Sequence, residues 1–181
     1  AADGSIYYFA QENLEFQRLD KQFKEKKQWI EGVPKLKTIE QIFKEHGGYK
    51  VLGTIKGSEM VGWAYDGPYD HFNAQSELGG FPIVDEKLKA QGSCGKSQHQ
   101  VIDPGKDGMG NDIVVGGEGT GIVHMAPGCG DIDNKIGQKL GMVSIAPLDE
   151  ESKFTGNFGW LSGKSATDEK TVQAIIDDLK E

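Results

Sequence analysis

The sequence has 181 residues, a net charge of −8, 36% apolar and 27% charged residues, and 26 glycines. A chain of this size suffices for about one domain with a packed core, and it has no apolar run of the roughly 18 residues that a membrane-spanning helix needs. The negative charge and the single arginine, Arg18, argue against a domain that grips nucleic acid unaided, because such domains are usually basic.

The first third of the chain predicts strands and helices in alternation. Residues 5–10 (SIYYFA) favour a short strand, and apolar residues at helical spacing predict an amphipathic helix over residues 12–30. Thr38 and Gln41 form a capping-box pattern before a second short helix. Residues 49–56 (YKVLGTIK) alternate in the way that a strand does.

The remaining, glycine-rich part predicts more short strands and two helices. A helix is expected over residues 131–140, and the last helix follows from apolar residues between Val172 and Leu179, with Ser165 or Thr167 as its cap. This pattern predicts an α+β fold, with a β-barrel-like core and peripheral helices, in a single domain over residues 1–181. The strands are expected at residues 81–84, 98–102, 112–115, 119–125 and 143–146.

Common nucleotide and metal signatures are missing from the sequence. Both GKS tripeptides lack the first glycine of a P-loop, since Ala90 and Phe158 stand in its place. The histidines show no i, i+4 pairing, and Cys94 with His99 lies in a turn-rich stretch, so no metal site is predicted. Two cysteines without a disulfide framework, and no signal-peptide pattern, predict a cytoplasmic protein with reduced thiols.

Residues 119–134 (GTGIVHMAPGCGDIDN) contain the most informative pattern. A buried strand is predicted to end near His124, and a proline–glycine turn leads from it to a helix with Asp131 and Asp133 in its first turn. Such a strand end beside a helix N-terminus often binds ligands; His124 could exchange a hydrogen bond there and Asp133 could hold an ammonium group. The pattern alone favours a plainer interpretation, in which His124 is a core histidine and the aspartates complement the helix dipole.

The same stretch resembles the signature of the editing domain of isoleucyl-tRNA synthetase. In that family a GTG-[IV]-V-H-x-A-P run is followed by a glycine-rich turn and an aspartate, which matches His124 and Asp133. Residues 57–70 are similar to the family's G-x-E-L-x-G-x-x-Y-x-P-L-F-D stretch, and residues 144–155 to its V-x-S-P-V-D-x-x-G-x-F-T stretch. The valyl and leucyl relatives usually lack the histidine, so the resemblance favours the isoleucyl branch.

The resemblance implies an editing domain inserted in the catalytic domain of a larger, monomeric, cytoplasmic ligase that uses ATP and Mg²⁺. A pocket discriminates a single methylene by only about 1–3 kcal/mol, a limit for which this synthetase is itself the standard example. The editing domain would therefore hydrolyse valine from mischarged Val-tRNA(Ile). Its partners would be the tRNA 3′ end carrying valine and the catalytic domain of the same ligase, with no membrane and no cofactor of its own.

The resemblance also assigns roles to individual residues. Asp133 would anchor the ammonium group of the substrate, and His124 would limit the pocket or contact the terminal ribose, positioning the substrate rather than acting as a general base. These two are the implied catalytic residues. The implied substrate-binding residues are Gly121, Val123, Met125, Ala126, Pro127 and Gly130.

Two departures separate the sequence from the family pattern. Cys129 stands where the turn usually has His or Phe, and a threonine-rich strand of the W-T-T-T-P-W-T type, which lines the pocket and helps to place water, is absent. The favoured explanation is a fragment that starts after that strand, with a degenerate paralogue as the alternative. The isolated chain is then expected to be a weak or inactive deacylase. Other hypotheses are a hydrolysis-deficient module that binds the tRNA end, a structural insertion, and an unrelated glycine-rich hydrolase.

Overall fold

The computed structural model describes residues 1–16, 36–106, 109–115 and 120–180, and the α-helices among them are short. Single 3₁₀ turns lie at Gln11–Asn13, Gly95–Gln98 and Gly159–Leu161. The α-helices of the described ranges are α1 (Ile39–Glu45), α2 (Gly57–Met60), α3 (Asn73–Ser76), α4 (Glu86–Ala90), α5 (Asp131–Leu140) and α6 (Glu169–Asp178).

The prediction of an α+β fold with a β-barrel-like core is wrong, because no residue in these described ranges belongs to a β-strand. Pairing is limited there to isolated bridges, such as the antiparallel Ala64–Gln100 and the parallel Phe81–Ile145 bridge. Strand propensity measures how well a segment fits a neighbouring strand. Many backbone N–H and C=O groups here form their hydrogen bonds within turns instead, as in the bond from Leu161 N to Phe158 O. Segments with alternating apolar residues therefore do not pair into a sheet.

The helices that were predicted from capping signals are confirmed. At α1, Gln41 N donates to Thr38 Oγ1 at 3.1 Å and Thr38 N donates to Gln41 Oε1 at 2.9 Å. Helix α5 has the predicted bounds, and α6 is capped by Asp168 rather than by Ser165 or Thr167. Most of the helix predicted over residues 12–30 lies outside the described residues.

Two compact units make up the chain. The first comprises Ala1–Glu59 and Pro104–His124, and the second comprises Met60–Asp103 and Met125–Glu181. In the described part of the chain, no helix is long and apolar enough to cross a membrane.

The second unit is organised around an aromatic core. Phe72, Ala74, Phe158 and Leu161 are buried, and Ile145 packs against them. The rings of Phe81 and Phe158 meet edge to face with centroids 5.9 Å apart, an arrangement that adds to the burial of apolar surface. This core fixes the segment around Ile145, which follows α5 in the chain.

The first unit contains a smaller aromatic cluster around Phe43 of α1. Its ring lies 5.2 Å from that of Tyr7, 6.0 Å from that of Phe9 and 5.6 Å from that of Tyr49, measured between centroids. Nearby in the chain, Ala10 N donates to Thr120 O at 2.7 Å. This bond ties the N-terminal segment to the beginning of the stretch that leads to His124.

Candidate functional site

Asp133 lies in the first turn of α5 and reaches back to the turn that precedes the helix. Its Oδ2 accepts a hydrogen bond from Ala126 N at 3.0 Å, and the turn itself is closed by a bond from Cys129 N to Ala126 O at 2.9 Å. The second carboxylate oxygen, Oδ1, accepts no hydrogen bond from any described residue. A half-buried carboxylate with one fixed and one open oxygen can accept a cation such as an ammonium group.

Gly130 gives this carboxylate the space that it needs. It is the N-cap residue of α5, and its carbonyl accepts a 2.7 Å hydrogen bond from Asn134 N. A Cβ atom at position 130 would lie 3.3 Å from Asp133 Oδ2, which is tighter than ordinary van der Waals contact. The absence of a side chain at Gly130 therefore leaves room beside the Asp133 carboxylate.

A second side chain of α5 also holds the turn. Asn134 Nδ2 donates to Pro127 O at 2.9 Å, and Asn134 Oδ1 accepts a hydrogen bond from Gln138 Nε2 at 2.9 Å. Pro127 in turn packs on Gly137, where a Cβ atom would come within 2.8 Å of the proline Cβ. The turn and the helix are therefore joined by two side-chain hydrogen bonds and one close apolar contact.

A cavity of about 360 Å³ adjoins the same helix. Asp133 and Ala126 are not among its lining residues. It is lined on the α5 side by Pro127, Asn134 and Gln138, and elsewhere by Gly79, Ile83, Val84, Asp85, Leu88, Met142 and Ser144.

The segment that leads to His124 differs from its prediction. Residues 120–125 form no strand, Val123 is 66% exposed and the His124 side chain is exposed, so the buried strand predicted over residues 119–125 is wrong for the part that the structure describes. Gly119 lies outside the described residues. Gly121 has a φ of +75° and packs directly on Ala10, which explains the glycine there. No described residue forms a hydrogen bond or ion pair with the His124 imidazole.

The predicted site residues fall in different units. Met125, Ala126, Pro127, Gly130 and Asp133 belong to the second unit. The bond from Ala126 N to Asp133 Oδ2 and the two bonds of Asn134 to Pro127 O and Gly130 O bring the last four together. The other three, Gly121, Val123 and His124, belong to the first unit.

Cys129, in the turn before α5, has a thiol whose pKa lies above its usual value. Burial of the thiol is the larger cause, although the residue as a whole is exposed, and the negative charge of Asp133 raises the pKa further. The Cys129 thiol therefore stays protonated to higher pH than an ordinary cysteine and senses the Asp133 carboxylate.

Two contacts in the structure were not predicted from the sequence. The Asn134 side chain had no assigned role, although an asparagine near a helix start often bonds to the backbone. His99 Nδ1 lies 3.1 Å from Asp70 Oδ1, without the alignment of a hydrogen bond, and no local signal relates residues so far apart in sequence. Among the described residues no group of three His, Cys, Asp or Glu side chains could hold a metal ion.

Comparison with known proteins identifies relatives by sequence. The isoleucine–tRNA ligase of Saccharolobus solfataricus is 34% identical over 78% of this chain and 12% of its own length. That of Saccharolobus islandicus is 36% identical over 78% of this chain and 11% of its own length, and that of Treponema denticola is 34% identical over 59% and 8%. No protein-family model and no solved structure matches the chain. The chain spans about a tenth of the length of the curated relatives it matches.

Proposed function

We propose that this chain, which belongs to the isoleucine–tRNA ligase family, is the part of such a ligase that removes valine from mischarged Val-tRNA(Ile). The substrate is the aminoacyl ester at the tRNA 3′ end. Water attacks the carbonyl carbon of valine, the bond from that carbon to the ribose oxygen breaks, and the ribose oxygen takes up a proton. The products are valine and tRNA with a free terminal hydroxyl group.

The open oxygen of Asp133 is the observation that carries this proposal. Every aminoacyl ester has an α-ammonium group, and a carboxylate that is already fixed at one oxygen can bind it with little loss of conformational entropy. Asp133 Oδ2 is held by Ala126 N, and Oδ1 has no partner among the described residues. Asp133 would therefore register the ester relative to the backbone of residues 125–130, and proximity to water would supply much of the rate.

His124 has a positioning role in this proposal. Its exposed imidazole would contact the terminal ribose or limit the space for the amino-acid side chain, so that isoleucine is excluded. Gly121, Val123, Met125, Ala126 and Pro127 would contribute backbone groups to the ribose. The chain itself supplies no covalent intermediate in this scheme.

We further propose the setting of the domain from the ligase relatives. Residues 1–181 would form one editing domain inserted in the catalytic domain of a monomeric, cytoplasmic ligase, which uses ATP and Mg²⁺ to charge tRNA with isoleucine. ATP and Mg²⁺ belong in this proposal to the ligase as a whole and are not assigned to the residues described here. The partners of the domain would be the tRNA 3′ end and the catalytic domain.

A module that binds the tRNA end without hydrolysis is the second candidate. The exposure of His124 and Val123 favours it, because an open surface positions water poorly. Pre-charged Val-tRNA distinguishes the two candidates: binding by the full ligase without release of valine supports the binding module, and release supports the deacylase.

Asp133→Ala in the full ligase tests the assignment. Loss of a hydrogen bond to a charged group costs about 1.5–3 kcal/mol, so kcat/KM for deacylation of Val-tRNA is expected to fall by roughly 10- to 100-fold, measured with pre-charged tRNA. Isoleucine activation should be unchanged in the same preparation.

The matched control is Asp131→Ala. Asp131 lies in the same first turn of α5, but it is exposed and pairs with Lys135 at 2.7 Å. Its removal should leave deacylation within about twofold of the wild type, as expected for an exposed ion pair. Undiminished hydrolysis by the Asp133 variant would exclude Asp133 as the anchor.

A further inference from the structure

We infer that Asn134 is a positioning residue that aims the Asp133 carboxylate at the ammonium group of the substrate, an inference that rests on the function proposed for Asp133. The two residues are neighbours in the first turn of α5 and bond to neighbouring residues of the preceding turn. Asp133 Oδ2 accepts from Ala126 N at 3.0 Å, and Asn134 Nδ2 donates to Pro127 O at 2.9 Å. Together they clamp the turn to the helix at two successive positions.

The orientation of the Asn134 amide is itself fixed. Its Oδ1 accepts from Gln138 Nε2 at 2.9 Å, one helical turn further along. Because the oxygen is engaged on the helix side, the amide presents its NH₂ group to the turn. The Asn134 backbone N–H is bound as well, to Gly130 O at 2.7 Å, so both ends of the residue contact the segment that it holds.

The bond from the Asn134 amide is important because of the residue that accepts it, Pro127. Pro127 is half-buried and its carbonyl receives the Asn134 bond, and a carbonyl that is shielded from water and left without a partner costs free energy. Proline has no N–H of its own with which to hold the segment. Without the Asn134 amide, Asp133 would be the one described side chain of α5 that still forms a hydrogen bond with residues 126–127. Asp133 would then have to hold the turn and orient its open oxygen at the same time.

Asn134 therefore has an effect that differs from a general contribution to stability. Its loss should weaken only those interactions of the ligand that depend on the direction of Asp133 Oδ1. Contacts to the base, the valine side chain and the ribose do not involve that oxygen. Of the residues proposed to contact the ribose, only Pro127 is held by the Asn134 side chain, so a ligand without the ammonium group should bind with little change.

Two probes separate these cases. One is a valyl-adenosine in which an amide replaces the ester, so that it carries the ammonium group and resists hydrolysis; the other is its 3-methylbutanoyl counterpart, which lacks the amino group. Binding of both to the full ligase is measured by calorimetry, with the aminoacylation site occupied by a non-reactive isoleucyl-adenylate analogue. The variants are Asn134→Ala, Asp133→Ala, the double variant, and Gln138→Ala as a control that leaves the bond to Pro127 in place.

Asn134→Ala is expected to raise the Kd of the ammonium probe by roughly three- to tenfold, the range for one lost hydrogen bond, and to leave the Kd of the deaminated probe within twofold. In the Asp133→Ala background it should add nothing, because the carboxylate through which it acts is gone. Gln138→Ala should have a smaller effect on the ammonium probe. Thermal unfolding of each variant, compared with that of the wild type, checks that the protein remains folded.

The other outcomes overturn the inference in distinguishable ways. Equal weakening of both probes by Asn134→Ala means that the residue has only a structural role. An unchanged Kd for the ammonium probe, or a full additional loss in the double variant, means that Asn134 does not act through Asp133. If Asp133→Ala itself fails to discriminate between the probes, the function proposed for Asp133 fails, and the inference fails with it.

Discussion

Asp133 and His124 are nine residues apart in sequence and lie in contrasting surroundings. Asp133 is half-buried in the second unit, and one of its oxygens is bonded to Ala126 N. His124 belongs to the first unit, is exposed, and follows Val123, of which 66% is exposed. The Asp133 carboxylate is thus held by a bond within its own unit, whereas no described residue bonds to the His124 imidazole.

The difference lies in how each segment satisfies its backbone. The turn before α5 gains a side-chain partner at Ala126 N and another at Pro127 O, both from α5. That helix is stabilised by the favourable interaction of its N-terminal aspartates with the helix dipole. The segment that precedes His124 has local bonds between Thr120 and Ile122. The second unit therefore holds its carboxylate in place before a ligand binds, whereas residues 122–124 of the first unit are exposed.

Gly137→Ala on α5 tests how firmly the turn before that helix is held, and it is expected to have the largest effect on stability of the substitutions considered below. Replacing glycine by alanine inside a helix normally stabilises the helix by about 1 kcal/mol. At position 137 its Cβ would meet the Pro127 ring at 2.8 Å, and overpacking of this kind costs about 1–3 kcal/mol. We expect a net loss of about 1 kcal/mol in the free energy of unfolding, measured by denaturant titration.

Gly57→Ala at the start of α2 is the comparison for that experiment. No heavy atom lies within 4 Å of a Cβ built there, so the substitution should be neutral or slightly stabilising. Stabilisation by Gly137→Ala to the same degree would mean that Pro127 yields easily, and that the turn is less firmly fixed than its hydrogen bonds indicate.

Capping signals and hydrogen-bond chemistry made part of this structure predictable. Thr38 with Gln41 and the aspartates of α5 act within a few residues, so the sequence alone locates α1 and α5. The strand predictions failed because a strand needs a partner elsewhere in the chain, and the alternation of residues 49–56 does not specify one. The family resemblance suggested Asp133 as the anchor through its spacing from His124, and that assignment stays a prediction. The Asn134 bond to Pro127 depends on side-chain geometry that no pattern of apolar residues encodes.

A smaller effect is expected in the reactivity of Cys129. Its thiol pKa is raised by burial and by the charge of Asp133, so alkylation by iodoacetamide should require a higher pH than it does for an ordinary cysteine. Asp133→Asn removes the charge, lowers the thiol pKa and increases the thiolate fraction. At pH 8 we expect alkylation to accelerate by about two- to fivefold, corresponding to the roughly 0.2–1 kcal/mol of exposed charge interactions.

Peptide mass spectrometry measures this rate, with the buried Cys94 as a slow internal reference. An unchanged rate at Cys129 would show that its thiol does not sense the carboxylate. The turn would then be arranged differently in solution from the arrangement described here.

The smallest effect on stability is expected from a substitution of the exposed Val123. Val123→Ala removes two methyl groups from a side chain that is 66% exposed, and substitutions at such surface positions usually change stability by less than about 0.5 kcal/mol. We therefore expect the free energy of unfolding to stay within that range in denaturant titration of the 181-residue chain. The same substitution in the full ligase should leave the binding of Val-tRNA nearly unchanged, because the ribose contact proposed for residue 123 uses its backbone groups. A loss above about 1 kcal/mol in the isolated chain would mean that Val123 is packed, and the contrast between the bonded Asp133 carboxylate and the exposed segment before His124 would no longer hold.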